Sequence, residues 1–238
     1  MTRLEPQSLT NETRTIAVRT HGRYLIDSAA SATATLVGFH GYQENAAIHL
    51  EVLRRIAVGS PAEAPGAKAG RIVNLVSIQA LHRFYNRAST VVAGWMTSED
   101  RELAIADNIA YVAAVLDDVA TETGLARPLI YVGFSQGVAM AYRAAAFVPR
   151  PCDGVIALAG DVPPDVAPVA AGLPAVLVGR GADDAWYTVE KMTADVATLR
   201  GSGVTVGEQV FAGGHVWDDS FVVRAGVFID EVSAATGR

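Results

Sequence analysis

Ser135, in Gly133-Phe134-Ser135-Gln136-Gly137, stands where a side chain would have to stand to do chemistry. The run before it, Leu129-Ile130-Tyr131-Val132, is apolar and reads as a strand. The run after it, from Val138 to about Phe147, reads as a helix. Strand, sharp turn and helix leave a hydroxyl clear of the backbone at a strand's carboxyl end, as a nucleophile that carries an acyl group requires. Glycines two residues on either side are needed because so tight a reversal leaves no room for side chains. The helix start aims amide N–H groups and its positive end at the same spot, which suits a developing oxyanion. A Gly-x-Ser-x-Gly pentapeptide also arises as an ordinary solvated turn. Here the apolar strand in front, and Ala139, Ala141 and Ala144 to Ala146 behind, favour an elbow packed against a sheet.

A serine hydroxyl is a weak nucleophile until a base takes its proton, and the base needs a carboxylate to orient it. His215 is the candidate base, because Phe211-Ala212-Gly213-Gly214-His215 ends a strand-like stretch in two glycines that free the backbone to aim an imidazole. The acid is expected in Arg180-Gly181-Ala182-Asp183-Asp184, just after another strand, and position alone leaves Asp183 and Asp184 both open. The order serine, aspartate, histidine along the chain is that of an α/β-hydrolase triad. Two backbone N–H groups should form the oxyanion hole, those of Gln136 and of Tyr42, which follows the strand end His40-Gly41. His40 is read as a brace for that loop, and His21 as a surface residue. Trp95, Trp186 and Trp217 are the candidate substrate-binding residues, Trp95 on an aromatic-rich connection of the kind that lines a crevice.

These residues need elements to hold them. Thr13 to Val18 and Arg23 to Ile26, joined by Thr20-His21-Gly22-Arg23, predict an opening antiparallel hairpin. A buried strand over 34–39, a helix over 45–58, a Pro/Ala/Gly-rich loop over 60–69 and a strand over 71–78 follow. Residues 79–95 read as irregular. A helix begins at Thr97-Ser98-Glu99-Asp100 and ends at Gly124, its apolar residues Ile105, Ile109, Val112, Leu116 and Val119 at helical spacing. Beyond the elbow come a strand over 154–159, a Pro-rich loop, a strand over 175–179 and a helix over 189–199. A strand over 204–211 and a helix over 217–232 complete the chain. Strands alternating with helices predict an α/β fold, a mainly parallel sheet with helices on both faces. A flexible stretch over 1–12 and one domain over 13–238 are expected.

Half of the 238 residues are hydrophobic and 18 % are charged, which excludes a disordered chain. The net charge is −6 and no stretch concentrates Lys and Arg, which argues against nucleic acid or an anionic membrane as partner. A single cysteine, Cys152, rules out an intramolecular disulfide and a cysteine-based metal site. No signal-peptide core opens the sequence, and the apolar runs fall short of the ~20 residues of a membrane helix, so a cytoplasmic protein with no stable membrane association is expected. Self-association into a homo-oligomer is left open.

The motifs together resemble the α/β-hydrolase superfamily, and within it the phospholipase/carboxylesterase (acyl-protein-thioesterase-like) group of small serine esterases. The resemblance covers about residues 34–235. It is carried by Gly38-Phe39-His40-Gly41-Tyr42-Gln43-Glu44-Asn45, similar to that group's His-Gly-x-Gly-Glu/Asp loop, by the Gly-Phe-Ser-Gln-Gly elbow, and by Gly214-His215. In such families the acid loop reads His/Arg-Gly-x-x-Asp, which implies Asp184 as the acid. Gln43 replaces the loop's second glycine, and Arg180 stands where histidine is common. The resemblance implies a serine hydrolase of carboxylic esters or thioesters with Ser135, Asp184 and His215 as triad, an acyl-enzyme intermediate, no cofactor and no metal. The absence of a lid-sized insertion points to short or moderate acyl groups. The same triad also serves amide or peptide hydrolysis and acyl transfer. A catalytically inactive binding protein on the same fold is disfavoured, because all three triad positions hold competent residues. A serine at the elbow disfavours a cysteine-nucleophile hydrolase.

Overall fold

The computed structural model describes residues 12–58 and 71–237. All but the last residue of the stretch expected to be flexible, and the loop over 60–69, lie outside these.

The sheet has seven strands in the order β1-β3-β2-β6-β7-β8-β9. They are β1 (Arg23–Asp27), β2 (Ala34–Phe39), β3 (Val73–Gln79), β6 (Leu129–Phe134), β7 (Gly154–Leu158), β8 (Ala175–Gly181) and β9 (Val206–Phe211). All neighbours pair in parallel except β1, which runs antiparallel to β3. The central strands β2, β6 and β7 are buried along their whole length. They read as continuous apolar runs because a parallel sheet is covered on both faces. The edge strand β9 is instead only partly buried or exposed until Phe211, which joins the core.

Helix α1 (Ala46–Val58) lies beside α5 (Asp219–Thr236) on one face of the sheet. On the other, α3 (Gln136–Phe147) packs on β6 and β7 beside α2 (Arg101–Glu122), and a short 3₁₀ helix, Ala167–Gly172, bridges α3 to α4 (Val189–Gly201). Helix α2 stops at Thr123, followed by Gly124 at φ +73°, the left-handed conformation in which glycine carries no Cβ penalty. No helix among the described residues is long and apolar enough to cross a membrane.

Two readings of the chain need correction. The opening antiparallel strand exists at Arg23–Asp27, but it pairs with β3 and residues 13–18 form no strand. Ile16 and Val18 are 87 % and 81 % exposed, so that stretch has no face to bury and nothing to anchor a ladder. The connection over 79–95 is not irregular. It contains a second small sheet, an antiparallel pair of β4 (His82–Tyr85) and β5 (Val91–Gly94). Its turn is closed by the Asn86 side chain, which accepts from the Ala88 and Thr90 amides, each at 3.0 Å.

Two histidines are buried in the structural body and held uncharged. Burial lowers His40 from its ordinary value to about 4, and burial followed by the proximity of His40 lowers His49 to about 3. Unfolding would release both to about 6.5, so below that pH the unfolded chain binds protons that the folded chain refuses. Stability is therefore full above about pH 6.5 and should be lost progressively as pH falls toward 4 and 3, each unit of separation being worth ~1.4 kcal/mol. Glu44 and Asp195, raised chiefly by burial, act in the opposite sense. The urea midpoint should fall steadily between pH 6.5 and 4, and the fall should be shallower in His49→Met. A midpoint that stays level over this range in the native protein would contradict the account.

Candidate active site

The site is assembled at the carboxyl ends of β2, β6, β8 and β9. At the end of β6 the chain reverses through Ser135 at φ +52° and ψ −120°, a conformation that residues with a Cβ rarely adopt. The surroundings enforce it. A Cβ on Gly133 would lie 2.6 Å from Val138 Cα, and one on Gly137 would lie 2.0 Å from the Phe39 carbonyl oxygen. Gly160 lets the next loop pass as closely, since a Cβ there would stand 2.5 Å from the Ser135 carbonyl oxygen.

His215 Nε2 lies 2.8 Å from Ser135 Oγ, and His215 Nδ1 lies 2.8 Å from Asp184 Oδ2. With Nδ1–H donating to the carboxylate, Nε2 faces the hydroxyl with its lone pair. The Asp184 side chain is fully buried, and its Oδ1 accepts from the Trp186 and Tyr187 amides at 2.8 and 3.0 Å. Burial alone would raise this carboxyl. The two amides and His215 outweigh that and hold it below its ordinary value, so it stays ionised. Asp183 is exposed, and it contributes its backbone amide to Gly213 O. Of the two adjacent aspartates, Asp184 is thus the one whose side chain reaches His215.

The two loops that carry Asp184 and His215 are stitched together. Ala182 N–H donates to Phe211 O at 2.7 Å and Asp183 N–H to Gly213 O at 2.8 Å. Gly181 permits the contact, because a Cβ there would meet Gly214 O at 2.2 Å. Arg180, which departs from the common histidine, is buried and donates to the carbonyls of Tyr187, Ala182 and Asp184. The Tyr187 hydroxyl donates to Asp195 of α4 at 2.9 Å and ties the far side of the loop.

The loop after β2 is held with equal care. His40 is fully buried; its Nδ1–H donates to Gly41 O at 2.7 Å and its Nε2 accepts from Ala80 N–H at 3.0 Å. Glu44 accepts from Gly41 N–H at 2.7 Å and returns its own amide to Gly41 O. With the Gly41 carbonyl drawn to one side, the Tyr42 N–H of the same trans peptide points to the other. That amide has no acceptor among the described residues, whereas Gln43 N–H is engaged with Ala93 O at 3.1 Å. Gln43 sits at φ +62°, which accounts for the glycine common at this place and costs a glutamine on the order of 1 kcal/mol. Gln136 begins α3, where a helix has no acceptor for its first amides. Its side chain clamps the loop after β5, accepting from Trp95 N–H at 2.8 Å and donating to Met96 O at 2.9 Å.

The three tryptophans part company. Trp95 is fully buried, donates to His40 O at 2.8 Å and packs on Phe39 and His40, so it braces the loop and does not line a pocket. Trp217 packs beneath the site on Phe134, His49 and Phe221, and Phe134 in turn lies against the His215 ring at a centroid separation of 5.1 Å. Only Trp186 reaches the cavity, and it is 76 % exposed at its rim. That cavity, of about 700 Å³, opens over Ser135 and His215 and is lined by Tyr42, Met96 and Pro163 among others. Among the described residues no group of three His, Cys, Asp or Glu is placed to hold a metal ion.

No protein-family model matches the sequence, and no curated protein matches it. Solved structures do. Esterase PE8 is 24 % identical with a TM-score of 0.67, the match covering 90 % of this chain and 100 % of that one. A carboxylesterase from Bacillus cereus is 15 % identical with a TM-score of 0.66, over 89 % and 94 % of the two chains. Acyl-protein thioesterase 2 from Zea mays is 17 % identical with a TM-score of 0.64, over 90 % and 100 %. Likeness at this level is one of fold: the chain has the α/β-hydrolase fold that these proteins share.

Proposed function

We propose that the protein is a serine hydrolase of the carboxylesterase type, cleaving carboxylic esters or thioesters through an acyl-enzyme. The observation that carries the reading is the unbroken line from Asp184 through His215 to Ser135, with both links at 2.8 Å, beside two outward amides. Ser135 Oγ attacks the carbonyl carbon and passes its proton to His215 Nε2. Asp184 holds the imidazolium so formed, while the carbonyl oxygen, now negative, accepts from Tyr42 and Gln136 N–H. Collapse breaks the bond to the alcohol or thiol, which leaves with the proton from His215. Water then follows the same path, and the carboxylic acid is released with Ser135 restored. Every step uses groups of this chain. The open cavity of about 700 Å³ suits short to moderate acyl groups, and we place the activity in the cytoplasm on small-molecule substrates.

The test is covalent. Incubation with a fluorophosphonate should add one phosphonyl group per chain, located at Ser135 by peptide mass, and should stop turnover of p-nitrophenyl acetate, butyrate and octanoate in step. Absence of labelling would sink the reading and leave a hydrolase-fold binding protein.

A further inference from the structure

The cavity over Ser135 holds a positive charge for which the ester chemistry has no use. Arg101, the first residue of α2, lines it beside Ser98, while Lys191 and Asp161 line it from the α4 side. Lys191 and Asp161 face each other at 3.3 Å and neutralise one another. Arg101 is exposed and has no hydrogen-bond or ion-pair partner among the described residues. The carboxylate that does feel its charge, Asp165, is already taken: buried Arg143 donates to both its oxygens at 2.7 Å. Glu99, Asp100 and Glu102 flank Arg101 in sequence but do not line the cavity. One unmatched guanidinium is thus left facing the space a substrate would fill, in a chain whose net charge is −6.

We propose that the substrate is an ester bearing a carboxylate, and that Arg101 binds that carboxylate. The proposal rests on the esterase reading and names its substrate class. A guanidinium presents a planar fork that matches a carboxylate with two parallel hydrogen bonds. With Lys191 already neutralised, the surplus in the cavity is a single charge, which fits a monoanionic carboxylate better than a phosphate dianion. Because Arg101 is exposed, its contribution is open to screening by salt.

The experiment compares charged esters with neutral ones of similar size by pH-stat. Monoethyl glutarate, charged on the acyl side, is set against ethyl hexanoate. The acetate ester of 3-hydroxypropanoate, charged on the alcohol side, is set against butyl acetate. For one of the two pairs, kcat/KM should favour the charged ester by about 10-fold or more at low salt. That ratio should fall toward one in Arg101→Gln, recover only in part in Arg101→Lys, which keeps the charge but not the fork, and shrink as salt is added. Ratios of one or below in the native protein for both pairs, or a preference that survives Arg101→Gln, would overturn the carboxylate site while leaving the esterase reading intact. If no ester turns over, the esterase reading has failed, and calorimetry on Ser135→Ala decides the site. Binding of a charged ester that is lost with Arg101→Gln would uphold it, and no difference between charged and neutral esters would overturn it.

Discussion

Ser135→Ala is expected to lower kcat on p-nitrophenyl butyrate by about 10⁴- to 10⁶-fold. The size of the loss follows from how the site is divided. Asp184 and His215 have no other nucleophile within their hydrogen-bonded line, so without Oγ the imidazole can only assist a water that nothing positions. The amides of Tyr42 and Gln136 survive the substitution, which leaves the residual rate that an oxyanion hole and binding sustain by themselves. The fold should not notice. The hydroxyl makes one side-chain hydrogen bond, to His215, and alanine meets the same backbone strain at φ +52° as serine does. The measurement is kcat together with the melting temperature of the purified variant. Unchanged melting with activity lost is the expected pair, and equal slow turnover by the native and variant proteins would remove Ser135 from the chemistry.

Gly137→Ala is expected to do the reverse and attack the fold. Its methyl group would lie 2.0 Å from Phe39 O, 2.5 Å from Phe39 C and 2.6 Å from His40 O, all of them backbone atoms. A flexible side chain can step aside, but these atoms belong to a fully buried central strand and to the loop that His40 and Trp95 brace. Relief requires α3 to withdraw from β2, which also displaces the elbow. A cost of about 4 kcal/mol or more is expected, placing the substitution in the tail of single-residue effects. For a chain of this size that is a drop of roughly 10 °C or more in melting temperature, or failure to accumulate as soluble protein. Gly201→Ala is the matched control, since no atom lies within 4 Å of a Cβ built there. It closes α4 and should change stability by less than ~1 kcal/mol. Equal melting of the two variants would show that the close approach at the elbow is not the constraint it is taken to be.

The parts of this molecule that were legible in its sequence are those in which local pattern and tertiary role coincide. A strand buried on both faces must be apolar throughout, so β2, β6 and β7 announce themselves, and glycines bracket Ser135 because two backbones meet there. Telling the two aspartates of the loop apart is harder. Asp183 and Asp184 are adjacent, the same residue type and equally well placed along the chain, and only the turn of the loop sends one to His215 and the other to solvent. Trp95 misled for a related reason. An indole on a long connection reads as a binding surface, but this connection is a hairpin whose inner side is core. The work of Arg180 and of the Gln136 side chain left no trace in the pattern, because both act on backbone carbonyls and amides that come near only once the sheet is built.

The place of His215 in the sheet bears on how the molecule responds to warming. Ser135 hangs from β6, in the middle, with neighbours on both sides, while His215 hangs from β9, at the rim, with a neighbour on one side only. Elements with fewer buried contacts open at lower cost than the core, and β9 is paired on one side only. Were β9 to lift away, the stitches from Phe211 and Gly213 to the loop of Asp184 would go with it, so His215 and Asp184 would be disturbed in one event while the elbow stays folded. On the proposed mechanism, a molecule opened at this edge has lost both partners of Ser135 together. A gently warmed sample is accordingly expected to thin in active copies before its core begins to melt, instead of slowing as a uniform population.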